Sequence, residues 1–405
     1  MNVDSTSNLS FFLPKQPEIG KIKNCDGQSP PVFTPLKIRS MSLNNRLGIS
    51  PMCVYSSSIE IDNVATEFHK IHYGSLASRA PGLIIVESVA VDPIGLITPN
   101  DLGLWNEKQA TSQFNQITQV CHAFNTKVGV QISHAGRLAS SAPPYKNFSY
   151  SLKETEGGWP SKIIAPSAAS FDPQNFPTPK KMTITEVKEM IKKFGHSARL
   201  AVKAGYDFIE IHAAHGYLIS EFLSPLCNTR NENDEYGGNW ENRIRFLIEI
   251  VDEIRENIPV DMPLFVRVSA SEYMEGKVPE SWTINDTCKL SLELYKHGVD
   301  VLDVSSGGID KDGVAPTPSK DTISSHRALP HEFFCEKIRE TSKELIIASP
   351  GRIFTGPEAN RLVTQGIVDI PLIGRAALKN PGIVWTMADE LNVELEQAVE
   401  YGWPF

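Results

Sequence analysis

Residues 206–225 read YDFIEIHAAHGYLISEFLSP. The run from Tyr206 to Ile211 is almost continuous in apolar side chains, the pattern of a strand covered on both faces, as parallel strands in α/β proteins are. Directly after it come His212, His215 and Tyr217, three chemically active side chains within six positions. His212 shares the parity of Glu210, while His215 and Tyr217 follow the strand, so all three can face one spot beyond its C-terminal end.

Seven further segments resemble this strand: 46–53 (RLGISPMC), 82–88 (GLIIVES), 127–133 (KVGVQIS), 264–270 (LFVRVSA), 299–306 (VDVLDVSS), 344–350 (ELIIASP) and 368–374 (VDIPLIG). Helical patterns fall near 67–79, 107–125, 183–204, 239–258, 283–297, 331–342, 356–365 and 381–391. Ile244, Leu247, Ile248, Val251, Ile254 and Ile258 keep a period near 3.6, and Thr183 with Glu186 forms a capping box. Eight βα units in succession predict an α/β fold, a (β/α)8 TIM barrel, with a doubly wound open sheet as the alternative. Residues 1–30 are polar and Pro-rich and read as an N-terminal arm outside the core, leaving 31–405 as a single barrel domain. Residues 135–182 have little periodicity and form a long loop after strand 3, on the face where barrel active sites sit.

Across 405 residues, 41% are hydrophobic and 21% charged, ordinary for a globular chain with a real core. Thirty-nine Lys and Arg against 48 Asp and Glu give a net charge of −9 without a basic cluster, which argues against a nucleic-acid partner. No window approaches the length of a membrane span, and the first residues lack a secretory pattern, so the expectation is a cytoplasmic protein without a membrane partner. The six cysteines are scattered with no C-x-x-C pair, against both a disulfide framework and a structural zinc site.

The strand ends carry Ser50-Pro51-Met52-Cys53-Val54-Tyr55, Glu87-Ser88, Gln131, Arg267, Ser305-Ser306-Gly307-Gly308, Gly351-Arg352 and Gly374-Arg375. In a barrel these converge on one pocket. His212 and His215 could be a zinc pair, but only Cys53 and Glu87 offer additional ligands, so no metal site is predicted. They could also merely cap backbone groups. The third reading is two donors gripping one oxygen, with Tyr217 as proton source. Arg267, in a strand predicted to be buried, either pairs with Glu210 or faces a ligand that develops negative charge. Gly followed closely by Arg after each of the last two strands suits a phosphate grip, where backbone N–H groups, a helix start and a guanidinium converge, unless the glycines only make turns. No G-x-G-x-x-G follows a strand, so a Rossmann dinucleotide site is not indicated. Lys127 lies at the wrong end of its strand for Schiff-base chemistry. A phosphorylated ring cofactor lying across the barrel mouth, flavin mononucleotide, accounts best for the set.

At this point the segments SPMCVYS, GLIIVES, GVQISHAGR, EIHAAHGYLISEFLSPLCNTR, DEYGGNWENRIRFL, LFVRVSAS, LDVSSGG and IGRAALKNP resemble the old yellow enzyme family of FMN-dependent NAD(P)H oxidoreductases, in its bacterial-type, thermophilic-like branch, from about Phe33 to Trp403. The resemblance implies that Ser50, Pro51, Met52 and Cys53 line one side of the flavin. It implies that Ser88, Gln131 and Arg267 contact the ring, and that Gly351, Gly374 and Arg375 bind the phosphate. His212 and His215 would hold the oxygen of an activated alkene, Tyr217 would protonate it, and Tyr55 would border the substrate. NADPH or NADH would reload the flavin. The competing readings are a metal-dependent barrel hydrolase and a non-catalytic flavin-binding barrel. The plant and yeast branch has Asn where this chain has His215. A homodimer is also implied, in which a C-terminal Arg reaches the neighbour's site; this chain ends VEYGWPF, with Tyr401 and Trp403 but no Arg. The insert at about 140–162 has no counterpart in the pattern.

Overall fold

A computed structural model of the chain describes all residues except 1–8, 10–11, 26, 147–149, 315–329 and 404–405. Its centre is a closed parallel barrel of eight strands: β1 (Gly48–Ile49), β2 (Leu83–Ala90), β3 (Lys127–Ser133), β4 (Phe208–Ala213), β5 (Leu264–Ser269), β6 (Val301–Ser305), β7 (Ile346–Pro350) and β8 (Ile370–Ile373). Each pairs with its sequence neighbour, and β1 pairs with both β8 and β2, which closes the ring and leaves no open edge. The doubly wound alternative is thereby overturned. β1 is much shorter than the 46–53 run because the chain leaves the sheet at Ser50, and Pro51 has no N–H to continue a ladder.

Helices α1 (Glu67–Ala77), α3 (Ile184–Lys203), α4 (Trp240–Asn257), α5 (Ile284–Lys296), α6 (Glu332–Thr341), α7 (Gly356–Thr364) and α8 (Ile383–Asp389) lie close to their expected positions. Thr183 and Glu186 make the expected capping box, and the acidic side chain returns a bond to the Thr183 N–H. α2, counted from Glu107 to Ala123, is interrupted by a π turn at Phe114–Thr118, a bulge that the apolar spacing did not signal.

Inside the barrel the strands' inward faces form layers. The lower layer is apolar: Leu83, Ile85, Phe208, Phe265, Val301, Ile370 and Leu372, plugged from below by Ile38, Met41 and Leu43 of an N-terminal hairpin. Phe208 and Phe265 stack at 4.4 Å between ring centroids. Gly129 leaves room for Phe208, since a Cβ there would lie 2.4 Å from its ring. The layer above is polar, with Gln131, Glu210, Arg267 and Asp303, all buried. Outward residues of the same strands, such as Val86, Ile211, Val268 and Val304, join the larger core beneath the helices.

The N-terminal segment does not lie wholly outside the core. Ile22–Cys25 pairs antiparallel with Val393–Leu395, and Leu13 and Ile19 are buried. Two apolar side chains in a polar stretch are a weak signal, and the C-terminal partner strand is invisible to local pattern reading. No helix among the described residues is long and apolar enough to cross a membrane.

Candidate active site

Strand register assembles the site. β4 and β5 place His212 beside Arg267, and β5 and β6 place Arg267 beside Asp303. The three rings expected to cooperate come together at the C-terminal end of β4: His212 lies 5.2 Å from His215 and 4.9 Å from Tyr217, each pair edge-on.

His212 Nδ1 accepts the Ala214 N–H at 3.3 Å, so the ring's proton sits on Nε2. His215 is held in the left-handed region, φ 60°, by its N–H donating to Ser269 Oγ at 2.9 Å. Its Nε2 lies 2.6 Å from Ser305 Oγ, so the ring nitrogen left free is Nδ1. Burial first, then the neighbouring His215 and Arg267, hold His212 well below the ordinary imidazole value. Burial and then Arg267 push His215 down to about 3. Both rings are therefore neutral donors at physiological pH. Burial raises the Tyr217 phenol above its ordinary range, so it keeps its proton, and its hydroxyl makes no hydrogen bond among the described residues.

Arg267 has a partner that the sequence reading did not weigh. Its closest partner is Asp303: Nε donates to Oδ2 at 2.6 Å, while Glu210 Oε1 is 3.8 Å away. Nη2 also donates to Ser50 Oγ at 3.0 Å. Glu210 Oε1 instead accepts from Gln131 Nε2 at 2.8 Å. Burial, then the Asp303 charge, raises Glu210 well above the carboxylate range. One guanidinium thus faces a carboxylate and a carboxyl that keeps its proton, which avoids a buried net negative charge. Asp303 was not singled out from the sequence, although an Asp within the apolar run VLDVSS carries the same signal as Arg267 within VRV.

Ser88 reaches the interior through a bulge. Val86 pairs with Val130 and Ser88 with Gln131, so Glu87 is the extra residue, and Ser88 Oγ meets Ser133 Oγ at 2.5 Å. Met52 and Cys53 are half-buried in the turn after β1. Cys53 and Tyr217 pack on one small cluster, Ile97, Ala135, Ala139 and Ile163, to which the long loop after β3 contributes. Burial raises the Cys53 thiol well above its ordinary value, so it is no thiolate. Tyr55, at φ 51°, stands edge-on to Tyr145 of the insert at 6.4 Å. Residues 147–149 of that insert lie outside the described set.

After β7 and β8, Gly351, Arg352, Gly374, Arg375 and Met52 line a cavity of about 200 Å³. Neither guanidinium has a hydrogen-bond or ion-pair partner among the described residues, and a Cβ at Gly374 would meet only Met52 Sδ, at 3.7 Å. The helix expected after Gly374 is a five-residue piece, Arg375–Lys379, too short to contribute much of a dipole. An anion there would meet the guanidinium groups and backbone N–H donors. Among the described residues no group of three or more His, Cys, Asp or Glu is placed to hold a metal ion.

Comparison with known proteins identifies the family and the fold. The family model described as NADH:flavin oxidoreductase / NADH oxidase matches residues 31–394. An NADH:flavin oxidoreductase of Gibberella zeae is 41% identical over 384 residues, covering 93% of this chain and 90% of that protein. An NADPH dehydrogenase of Bacillus subtilis is 41% identical over 374 residues, 92% of this chain and 99% of that one. Among solved structures, morphinone reductase superimposes with a TM-score of 0.71 at 24% identity, over 91% of this chain and 92% of its own. An old yellow enzyme homologue from Zymomonas mobilis does so with 0.71 at 24% identity, over 90% and 94%. At that identity the two structures speak for the fold alone.

Proposed function

The chain belongs to the NADH:flavin oxidoreductase / NADH oxidase family, the old yellow enzymes, and is an NAD(P)H-dependent flavin oxidoreductase; from that premise we propose that it reduces the C=C bond of α,β-unsaturated carbonyl or nitro compounds. FMN is the cofactor the family uses. The residues present fit it: two guanidinium groups without partners among the described residues, at a small cavity, suit the phosphate, and the polar layer of Gln131, Arg267 and Ser50 suits the edge of a hydrogen-bonding ring. Ser50, Pro51, Met52 and Cys53 would line one side, with Ser88, Gln131 and Arg267 against the ring and Gly351, Gly374 and Arg375 at the phosphate. Bound FMN supplies the hydride, which NADPH or NADH replenishes.

The remaining chemistry belongs to the side chains. As the alkene's β-carbon gains hydride, charge moves to the carbonyl or nitro oxygen. His212 offers Nε2–H to that oxygen. His215 serves as second donor in the tautomer with its proton on Nδ1, Ser305 then donating to Nε2. Each preorganised donor contributes about 3 kcal/mol to transition-state stabilisation, by analogy with oxyanion-hole donors. Tyr217 Oη gives its proton to the α-carbon. Tyr55 borders the substrate, and the Arg267 charge compensates the electron-rich ring.

The observation that carries this reading is the pairing of a His212 ring with its proton on Nε2 and a Tyr217 phenol without a hydrogen-bond partner among the described residues, their ring centroids 4.9 Å apart. The test is anaerobic: record the visible spectrum, reduce with each nicotinamide, then add cyclohexenone or a maleimide. Reoxidation of the flavin with stoichiometric saturated product is expected. Colourless protein that takes up no FMN, or reduced flavin that no activated alkene reoxidises, sinks the proposal.

A further inference from the structure

Glu87 is a fully buried carboxyl that the proposed chemistry does not use. The bulge in β2 removes it from the barrel interior, where plain alternation would have sent it, and turns it toward α1 and the turn after β1. There it meets donors from two elements, the turn after β1 and α1. Oε2 accepts the Val54 N–H at 2.9 Å. Oε1 accepts from the Tyr73 hydroxyl at 3.1 Å, and that hydroxyl in turn receives the Glu87 N–H at 3.0 Å. His69 stands on the same side with Nε2 3.6 Å from Oε1. Its Nδ1 accepts the Thr66 N–H, so its proton is on Nε2, which makes no hydrogen bond among the described residues.

The Val54 N–H belongs to the turn Cys53-Val54-Tyr55, in which Tyr55 holds a φ of 51°, costly for a bulky residue. A non-Gly residue keeps such a conformation only where its surroundings over-determine it, and here the fixed acceptor is Glu87. We infer that Glu87 is a positioning residue for the alkene site, its carboxyl tying the Cys53–Tyr55 turn to the β2 bulge and to Tyr73 of α1, so that the Tyr55 ring forms a preset wall beside Tyr217. The inference rests on Tyr55 bordering the substrate. It adds that this wall is set from behind, by a residue that touches neither substrate nor flavin.

The experiment compares FMN-loaded wild type, Glu87→Ala, Glu87→Gln and Tyr73→Phe. Four quantities are read: FMN affinity, thermal midpoint, the Kd of p-cresol from the flavin spectrum, and kcat and KM separately with cyclohexenone. Losing the carboxyl's hold on the turn in Glu87→Ala should weaken p-cresol binding and raise KM about tenfold, with FMN affinity within about twofold. Glu87→Gln, which keeps one carbonyl acceptor for the turn, should recover most of that loss. Tyr73→Phe removes one hydroxyl that orients the carboxyl; it should raise KM about threefold, and it stands in if the Ala variant does not fold. A Glu87→Ala or Tyr73→Phe protein with a lower thermal midpoint but wild-type p-cresol binding and KM overturns the inference. Failure of wild type itself to bind p-cresol or reduce cyclohexenone is a failure of the proposed function, and the inference falls with it.

Discussion

Arg267 and Asp303 stand at one register position on neighbouring parallel strands, with Nε donating to Oδ2 at 2.6 Å and both side chains buried. Breaking a buried pair by removing one member costs more than deleting both, because the survivor keeps an uncompensated charge. Arg267→Met should lower stability by about 3–5 kcal/mol, and adding Asp303→Asn should restore part of it. Urea unfolding of the three proteins without added FMN checks this; additive losses would show that the pair is not coupled.

The histidine pair sets a pH dependence whose sign follows from its depressed folded-state values. An imidazole pushed from 6.5 to about 3 is neutral when folded and protonates when unfolded. Its contribution to stability is complete above about pH 6.5 and is lost progressively as the pH falls toward 3. His215→Asn should therefore flatten the fall in stability over that interval relative to wild type, as read by unfolding at several pH values. An unchanged slope would mean that His215 titrates normally in the folded protein.

Tyr217 is expected to act on the second half-reaction alone. Tyr217→Phe removes the proton donor but leaves the ring packed on Ile97 and Ala135. Flavin reduction by NAD(P)H should keep its rate, while oxidation by cyclohexenone slows by about 10²–10⁴-fold. Stopped-flow measurement of each half-reaction separates the two, and equal slowing of both would count against the assigned proton transfer.

The Arg375 guanidinium, without a partner among the described residues, is expected to recognise phosphate. Arg375→Ala should weaken FMN binding by roughly 10- to 100-fold and leave riboflavin binding unaltered, since the lost charge-assisted bonds contribute about 1.5–3 kcal/mol. Fluorescence titration of both flavins provides the comparison. Equal weakening of FMN and riboflavin would locate the phosphate elsewhere.

The chain's local patterns were enough for eight strands, their helices and the meeting of His212, His215 and Tyr217. A strand covered on both faces must be apolar along its length, and a barrel sends its strand ends to one mouth. Cofactor class was legible for the same reason, because the paired Gly-Arg endings and Arg267 lie at positions that the order of strands defines. Local pattern offered Glu210 as a partner of Arg267 and did not point to Asp303. Both carboxyl groups flank it in the barrel, and the distances that decide which one stays charged depend on side-chain packing across three strands. The alternation of β2 also misleads at its end. The bulge at Glu87 exists only relative to β3, a partner about forty residues away, and no window on either strand contains that register. The direction of His215 Nε2 toward Ser305, and the reach of Glu87 to the Cys53–Tyr55 turn, likewise arise between segments distant in sequence. Periodicity encodes which face of an element is buried; what each buried polar group touches is decided when the elements close against one another and every donor must find an acceptor.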